Sequence, residues 1–244
     1  SGIIEKDGEL YETPEIPAFG YKVVDLNATE NRVQVIGPML ENDYYTLVLD
    51  KAGRIKTLYD KQNQREVLIA GAYGNEFRVF EDFPKTYDNW EISRYYNEKM
   101  WILDSKAEIT PFTNNVGAGF IVKRDYLDSK ISQTIQLYNQ SRRIDFKTEI
   151  DWKQDHQILK IAFPLDVHTT KATYDIQFGN IERPTHFNTS WDAAKFEVCA
   201  HKWVDVAEAG YGVALLNDCK YGHNAIDGEI TMTLFRNTEY PSTI

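Results

Sequence analysis

An all-β fold of large antiparallel sheets packed face to face is what this sequence predicts, and three observations carry it. Apolar and polar residues alternate with a two-residue period through several long segments. Turn-forming residues punctuate those segments, and no stretch holds a helical period for long enough to stand as a helix.

Taken in order, residues 1–40 carry Pro14, Pro17 and Gly20 before Tyr21-Lys22-Val23-Val24, which reads as a leading arm joining an edge strand. Tyr44 to Leu49 is β-branched and aromatic, Asp50-Lys51-Ala52-Gly53 supplies turn chemistry, and Arg54 to Leu58 returns, so a hairpin is expected. Ile131, Ile135 and Leu137 share one face before a turn at Asn139-Gln140-Ser141. In Arg143 to Ile150, the residues Ile144, Phe146, Thr148 and Ile150 alternate with Arg143, Asp145, Lys147 and Glu149. Ile230, Met232 and Leu234 alternate with Glu229, Thr231 and Thr233 in the same way. Candidate helical turns such as Trp191 to Lys195 are shorter than a stable helix needs. Strand after strand, the pattern is that of antiparallel sheets with one face buried.

The 244 residues suffice for one large β-domain, which is preferred here to two small ones. With 42% hydrophobic and 26% charged residues the composition is globular, and no apolar run reaches membrane-spanning length, so no membrane role is expected. A formal charge of −10 without any block of Lys and Arg argues against nucleic acid as a partner. Two cysteines, Cys199 and Cys219, are too few for a disulfide scaffold, and with no secretory or transit signal at the start the expected setting is the reducing cytoplasm. The glycosylation-type triplets at Asn27, Asn139 and Asn188 carry no meaning there. Ser1 is not a start methionine, and the chain stops at Tyr240-Pro241-Ser242-Thr243-Ile244 directly after a strand-like segment, so an excised domain is expected.

The densest unusual run is Ile181 to Gly222, which holds Arg183-Pro184-Thr185-His186, Asn188-Thr189-Ser190-Trp191-Asp192, His201-Lys202-Trp203-Val204-Asp205 and Leu215-Leu216-Asn217-Asp218. Upstream stand Glu41-Asn42-Asp43-Tyr44-Tyr45, then Asp50, Gly53 and Tyr59-Asp60-Lys61. Phe80-Glu81-Asp82-Phe83-Pro84, Asp88-Asn89-Trp90-Glu91-Ile92, Phe163-Pro164-Leu165-Asp166-Val167 and Gln177-Phe178-Gly179 follow in that order. Together these motifs resemble the C-terminal β-domain of glycoside hydrolase family 38, the zinc-dependent α-mannosidases, in its cytosolic and bacterial branch. The resemblance spans residues 41–241. It implies a galactose mutarotase-like two-sheet supersandwich over residues 41–244, preceded by an arm, 1–40, that leaves an earlier domain. It also implies an intact enzyme that removes terminal α-mannosyl residues with retention. The zinc and the nucleophile would reside in an N-terminal catalytic domain absent from this chain, and the fragment alone would be inactive. The family also makes a homo-oligomer plausible for the intact enzyme.

Glycoside hydrolysis uses two carboxyl groups flanking the scissile bond. The stretch Glu81, Asp82, Tyr87, Asp88, Trp90 and Glu91 offers acids for sugar hydroxyls and rings for sugar faces. Read structurally instead, it is a solvated loop whose acids cap turns and whose Trp90 closes the core edge. The resemblance assigns no nucleophile here. It implies a wall of the sugar pocket, with an arginine at the end of a late strand reaching the substrate. The matching position is Arg236, whose planar fork suits hydroxyls or a carboxylate. Its bland alternative is a strand-end arginine in water. Candidate substrate-binding residues are therefore Arg236, Asp82, Asp88 and Trp90.

Cys199-Ala200-His201 and Cys219 with His223 lack zinc-ligand spacing, so no metal is assigned to this chain and Cys199 is expected to be a buried thiol. His186 and His201 are expected to be hydrogen-bonded elements of the sandwich. Trp191 and Trp203, with Asn188, Asp192 and Asp205 as acceptors, are expected to brace a loop against the sheet. Two rival functions remain. A free-standing mutarotase-like epimerase would bring His156, His168 or His186 against a carboxylate in a pocket. A carbohydrate-binding module would use the aromatic loop Tyr87 to Trp90.

Overall fold

The computed structural model describes residues 2–24 and 30–238. Ser1, the triplet at Asn27 and residues 240–244 lie outside the described residues. Among the described residues the strands are antiparallel throughout, and the regular helical content is one helix, Ser190–Ala193, and one 3₁₀ turn, Tyr96–Glu98. The all-β expectation is met. The chain divides into two compact units, Ser1–Glu66 with Ser105–Trp152, and Val67–Asp104 with Lys153–Ile244.

The first unit contains the hairpin Gly2–Lys6 with Glu9–Thr13, a five-stranded meander over residues 34–66 and a four-stranded meander over residues 108–151. The predicted hairpin is there, as Tyr45–Leu49 against Ile55–Asp60. The side chain of Asp50 folds its turn by accepting from Ala52 N and Arg54 N at 2.9 Å each. Gly53 takes φ +74 there, in the left-handed region, and lies so close to Val122 that a Cβ would stand 2.4 Å from Val122 Cγ1 and force a shift. In the four-stranded meander Ile131, Ile135 and Leu137 are buried to within 1% exposure, as their alternation predicts, and Phe120 and Val122 are buried with them.

Tyr21-Lys22-Val23-Val24 is not an edge strand. Tyr21 and Val23 are 91% and 87% exposed, and β propensity without a hydrogen-bonding neighbour builds no strand. The arm's strands lie earlier, in the hairpin Gly2–Lys6 with Glu9–Thr13.

The second unit holds a four-stranded sheet, ordered Gly179–Pro184, Lys171–Ile176, Trp203–Glu208 and Tyr211–Leu216. It also holds a six-stranded sheet whose order is Val198–Cys199, Gly222–Ile226, Glu229–Asn237, Gln157–Pro164, Glu76–Glu81 and Met100–Ile102. The central strand Gln157–Pro164 pairs with Glu76–Glu81 on one side and Glu229–Asn237 on the other. Every residue from Ile158 to Ala162 is buried, as befits a strand with neighbours on both edges. This sheet carries all the predicted site residues or the loops that bear them.

Candidate functional site

Strand register sorts the six-stranded sheet into two faces. On one, Phe77, Ile161 and Met232 stand in a row, as do Val79 and Leu159, and these are core residues. On the other, Arg78, Lys160 and Thr233 form one row and Phe80, Ile158 and Arg236 the next. This second face is polar although largely buried, so its charges need partners within the fold.

Arg236 is the next-to-last residue of the strand Glu229–Asn237 and Asp82 follows Glu76–Glu81 directly, with Asp82 N donating to His156 O at 2.8 Å. The sheet thereby brings the guanidinium to the carboxylate: Arg236 Nε donates to Asp82 Oδ2 at 2.6 Å, and Nη2 to Oδ1 at 3.3 Å. Nη2 also donates to Glu91 O at 2.5 Å and lies 3.8 Å from Asp88 Oδ1. Tyr87 takes φ 52, and its carbonyl accepts from Trp90 N and Glu91 N at 2.8 and 3.0 Å. That turn sends Asp88 inward to 1% exposure and leaves Tyr87 and Trp90 outside at 55% and 69%, their ring centroids 5.6 Å apart.

Burial pushes the Asp82 carboxyl above the usual range, against the Arg236 charge, which pulls it down; Asp88 adds to the rise and His156 opposes it. Asp82 binds Arg236 with both oxygens and Asp88 brings Oδ1 near it, while Tyr87 and Trp90 are among the exposed residues of the loop. Arg236 is itself 18% exposed, and none of its bonds among the described residues uses Nη1. The arrangement fixes a guanidinium against the turn that carries an exposed aromatic pair, a combination of donors and rings that suits binding and orienting a polyol. Of the four residues predicted from sequence, the fold gathers Arg236, Asp82 and Asp88 directly and Trp90 on the adjoining turn.

A second cluster on the same face was not foreseen. Lys160 is 1% exposed and hydrogen-bonds Glu197 Oε2, whose other oxygen accepts from Thr233 Oγ1 at 2.5 Å. Its ammonium also lies 5.1 Å from the centroid of the Tyr96 ring. Burial acts to lower the Lys160 pKa, but Glu197 and Tyr96 outweigh it and the group stays charged. Arg78, opposite Lys160 in register, is held by Glu229 at 2.7 and 2.8 Å and by Glu76 at 2.9 Å. Two like charges face each other there only because each has its own carboxylates. The available signal was the lone Lys in the apolar run Ile158-Leu159-Lys160-Ile161-Ala162-Phe163.

The run from Ile181 to Gly222 corrects two expectations. Trp191 is 81% exposed and is not a buried brace. Polar order there is local: Thr189 Oγ1 accepts from Asp192 N at 3.1 Å while Asp192 Oδ2 accepts from Thr189 N at 3.2 Å, capping a single helical turn that buries none of its residues. Cys199 is an exposed free thiol and not a buried one, as is Cys219. Strand alternation puts Ala200 inside and turns Cys199 outward. His186 accepts from Asn188 N at 3.4 Å, and His201 pairs with Gln177 at 3.3 Å.

Among the described residues no group of three or more His, Cys, Asp and Glu could hold a metal ion, so these side chains do not by themselves fit zinc. No helix of the described residues is long and apolar enough to cross a membrane. His168 lies 3.5 Å from Asp166, but with side-chain exposures of 89% and 47% the pair stands in open solvent. A cleft of about 600 Å³ in the first unit is lined by Lys106, Arg124, Lys130, Glu149 and Asp151 among others, without histidine.

A family model described as the glycosyl hydrolases family 38 C-terminal domain matches residues 40–243. Alpha-mannosidase 2C1 of Homo sapiens is 36% identical over 231 residues, covering 93% of this chain and 21% of its own length. Alpha-mannosidase G of Dictyostelium discoideum is 38% identical over 213 residues, covering 83% and 19%. This chain thus spans about a fifth of the length of these curated relatives. Among solved structures, an alpha-mannosidase from Enterococcus faecalis V583 shares the fold, with a TM-score of 0.69 at 17% identity over 82% of this chain and 26% of that one.

Proposed function

Since the chain belongs to glycosyl hydrolase family 38, as its C-terminal domain, we propose that it forms the scaffold half of a retaining α-mannosidase acting on terminal α-mannosyl residues. In this reading residues 41–244 serve as one β-domain and residues 1–40 as the arm from a preceding catalytic domain. The reactive carboxyl groups and the zinc belong to that other domain. Arg236 would donate to a mannosyl hydroxyl and Trp90 would cover a sugar face, while Asp82 and Asp88 hold the arginine in place. The observation that carries the reading is the Arg236–Asp82 pair beside exposed rings, in a chain whose relatives at 36% and 38% identity are named alpha-mannosidases. Two free thiols support a cytoplasmic setting. Oligomerisation of the intact enzyme is part of the proposal.

A chromogenic α-mannoside assay with added zinc tests it, on this chain and on the intact protein. The chain alone should show no turnover and the intact protein should show it. Turnover by the chain at a rate near that of the intact protein would overturn the assignment of chemistry elsewhere. One rival keeps a specific observation in its favour: the exposed Tyr87–Trp90 pair is also the platform a carbohydrate-binding module would use. Calorimetry with mannose or mannobiose separates the two, because the scaffold reading expects little binding by this chain alone.

A further inference from the structure

Residues 82–99 form a long loop with few inward-facing side chains. Between Phe83 and Lys99, Pro84 and Asp88 are buried, Ile92, Ser93 and Tyr96 are half-buried, and the rest are exposed. A loop so poor in buried apolar groups has little packing to hold it in one conformation. Asp88 is at one end, beside Arg236, and Tyr96 is at the other. Tyr96 sits on the polar face of the sheet, its ring 5.2 Å from Phe80 edge-on and 6.2 Å from Phe196. Beneath it lies the ammonium of Lys160, bound to Glu197. Glu197 belongs to the segment after the helix Ser190–Ala193, and Asn224 Nδ2 ties the neighbouring Phe196 O at 2.6 Å. Gly222 leaves the space the carboxylate uses, since a Cβ there would stand 2.6 Å from Glu197 Oε1. One lysine at mid-sheet therefore meets two segments that lie on this face.

We propose that Lys160 is a positioning residue that holds the loop of residues 82–99, through Tyr96, and the segment around Glu197 onto the sheet, so that Asp88 and Trp90 stand fixed beside Arg236. A buried ion pair of this kind is poor evidence for stability as such, because apolar replacements of both partners often leave stability unchanged. Its contribution here is to give two segments with little packing of their own a single resting place. The consequence for sugar binding rests on the α-mannosidase reading; the positioning itself does not.

Hydrogen exchange on the intact protein tests this with Lys160→Met and with the double variant Lys160→Met, Glu197→Met, which removes the stranded carboxylate. The reporters are the loop amides bonded to loop carbonyls: Trp90 and Glu91 to Tyr87, Tyr96 to Ser93 and Glu98 to Tyr95. In whichever variant folds, these should exchange about tenfold faster or more, while amides of Gln157–Pro164 stay near wild-type rates. Loop exchange at the wild-type rate, or loop and strand rates rising together, would overturn the proposal. On the α-mannosidase reading the double variant should also raise KM for an aryl mannoside with kcat kept. If exchange responds and KM does not, the positioning stands and the sugar-contact reading fails.

Discussion

Arg236 and Asp82 stand 154 positions apart in the chain and meet through Nε and Oδ2 at 2.6 Å, with the carboxylate side chain wholly buried. Removing the arginine leaves Asp82 charged in a dry site with no other strong partner. Arg236→Met is therefore expected to cost about 3 kcal/mol, the lower end for breaking a buried pair because the arginine is partly exposed. Burial already raises the Asp82 pKa, and without Arg236 it rises further. A carboxyl whose folded pKa is raised adds stability below its unfolded value and loses it as pH rises through the folded one. The gap between variant and wild type should accordingly shrink as pH falls toward 4, which denaturant titration of the intact protein at several pH values would measure. A gap that is constant or grows on acidification would contradict this.

Trp90 is 69% exposed, so Trp90→Ala should change stability by about 0.5 kcal/mol or less. If its ring covers a sugar face, the loss of stacking is worth about 0.5–1.5 kcal/mol. That corresponds to a KM raised by roughly two- to twelvefold with kcat kept. Steady-state kinetics on the intact enzyme separate this from the loop being mere surface, for which both constants would hold.

What was legible in the sequence was what local chemistry determines. Asp50 and Gly53 announce a turn because the aspartate side chain and a left-handed backbone close it within four residues. Alternation placed Ile131, Ile135 and Leu137 inside for the same local reason. Tyr21 to Val24 had the composition of a strand without a neighbour to pair with, and propensity alone could not reveal that. The type of Trp191 argues for the interior, but Asp192 beside it is engaged in capping its own turn. Arg236 and Asp82 could each be chosen as candidates, yet their contact depends on strand order, which no local pattern carries. Lys160 was visible as a charge in an apolar run, and its partners Glu197 and Tyr96 come from segments whose approach only the fold defines.

Gly53 offers a test of the first unit. Its φ of +74 disfavours any side chain, and a Cβ would lie 2.4 Å from Val122 Cγ1. Gly53→Ala should destabilise by about 1–2 kcal/mol from the backbone alone, with the contact adding to it. Gly210, at φ +82 with nothing within 4 Å of its would-be Cβ, isolates the backbone part. Gly210→Ala should therefore cost less than Gly53→Ala in thermal melts, and equal losses would show that Val122 yields without cost.

His223 lies on the apolar face of the six-stranded sheet, opposite Met232, with 0% exposure. Burial lowers its pKa below the usual 6.5, against smaller opposing contributions from the Tyr221 backbone and the Glu197 charge, while the Lys160 charge adds to the fall. The folded protein holds this imidazole neutral at a pH where an unfolded chain would already protonate it. The unfolded state then binds more protons, so stability must rise with pH across that window. His223's contribution is fully present above about 6.5 and is lost as pH falls through the lower folded value, with a slope of at most about 1.4 kcal/mol per pH unit. His223→Met keeps an apolar group of similar size and cannot titrate. Its stability should fall less steeply than wild type's between pH 7 and the acid side of the histidine range. Parallel curves from denaturant titrations of the intact protein would mean that the imidazole is solvated or already charged in the fold, and that the apolar face is open near Met232.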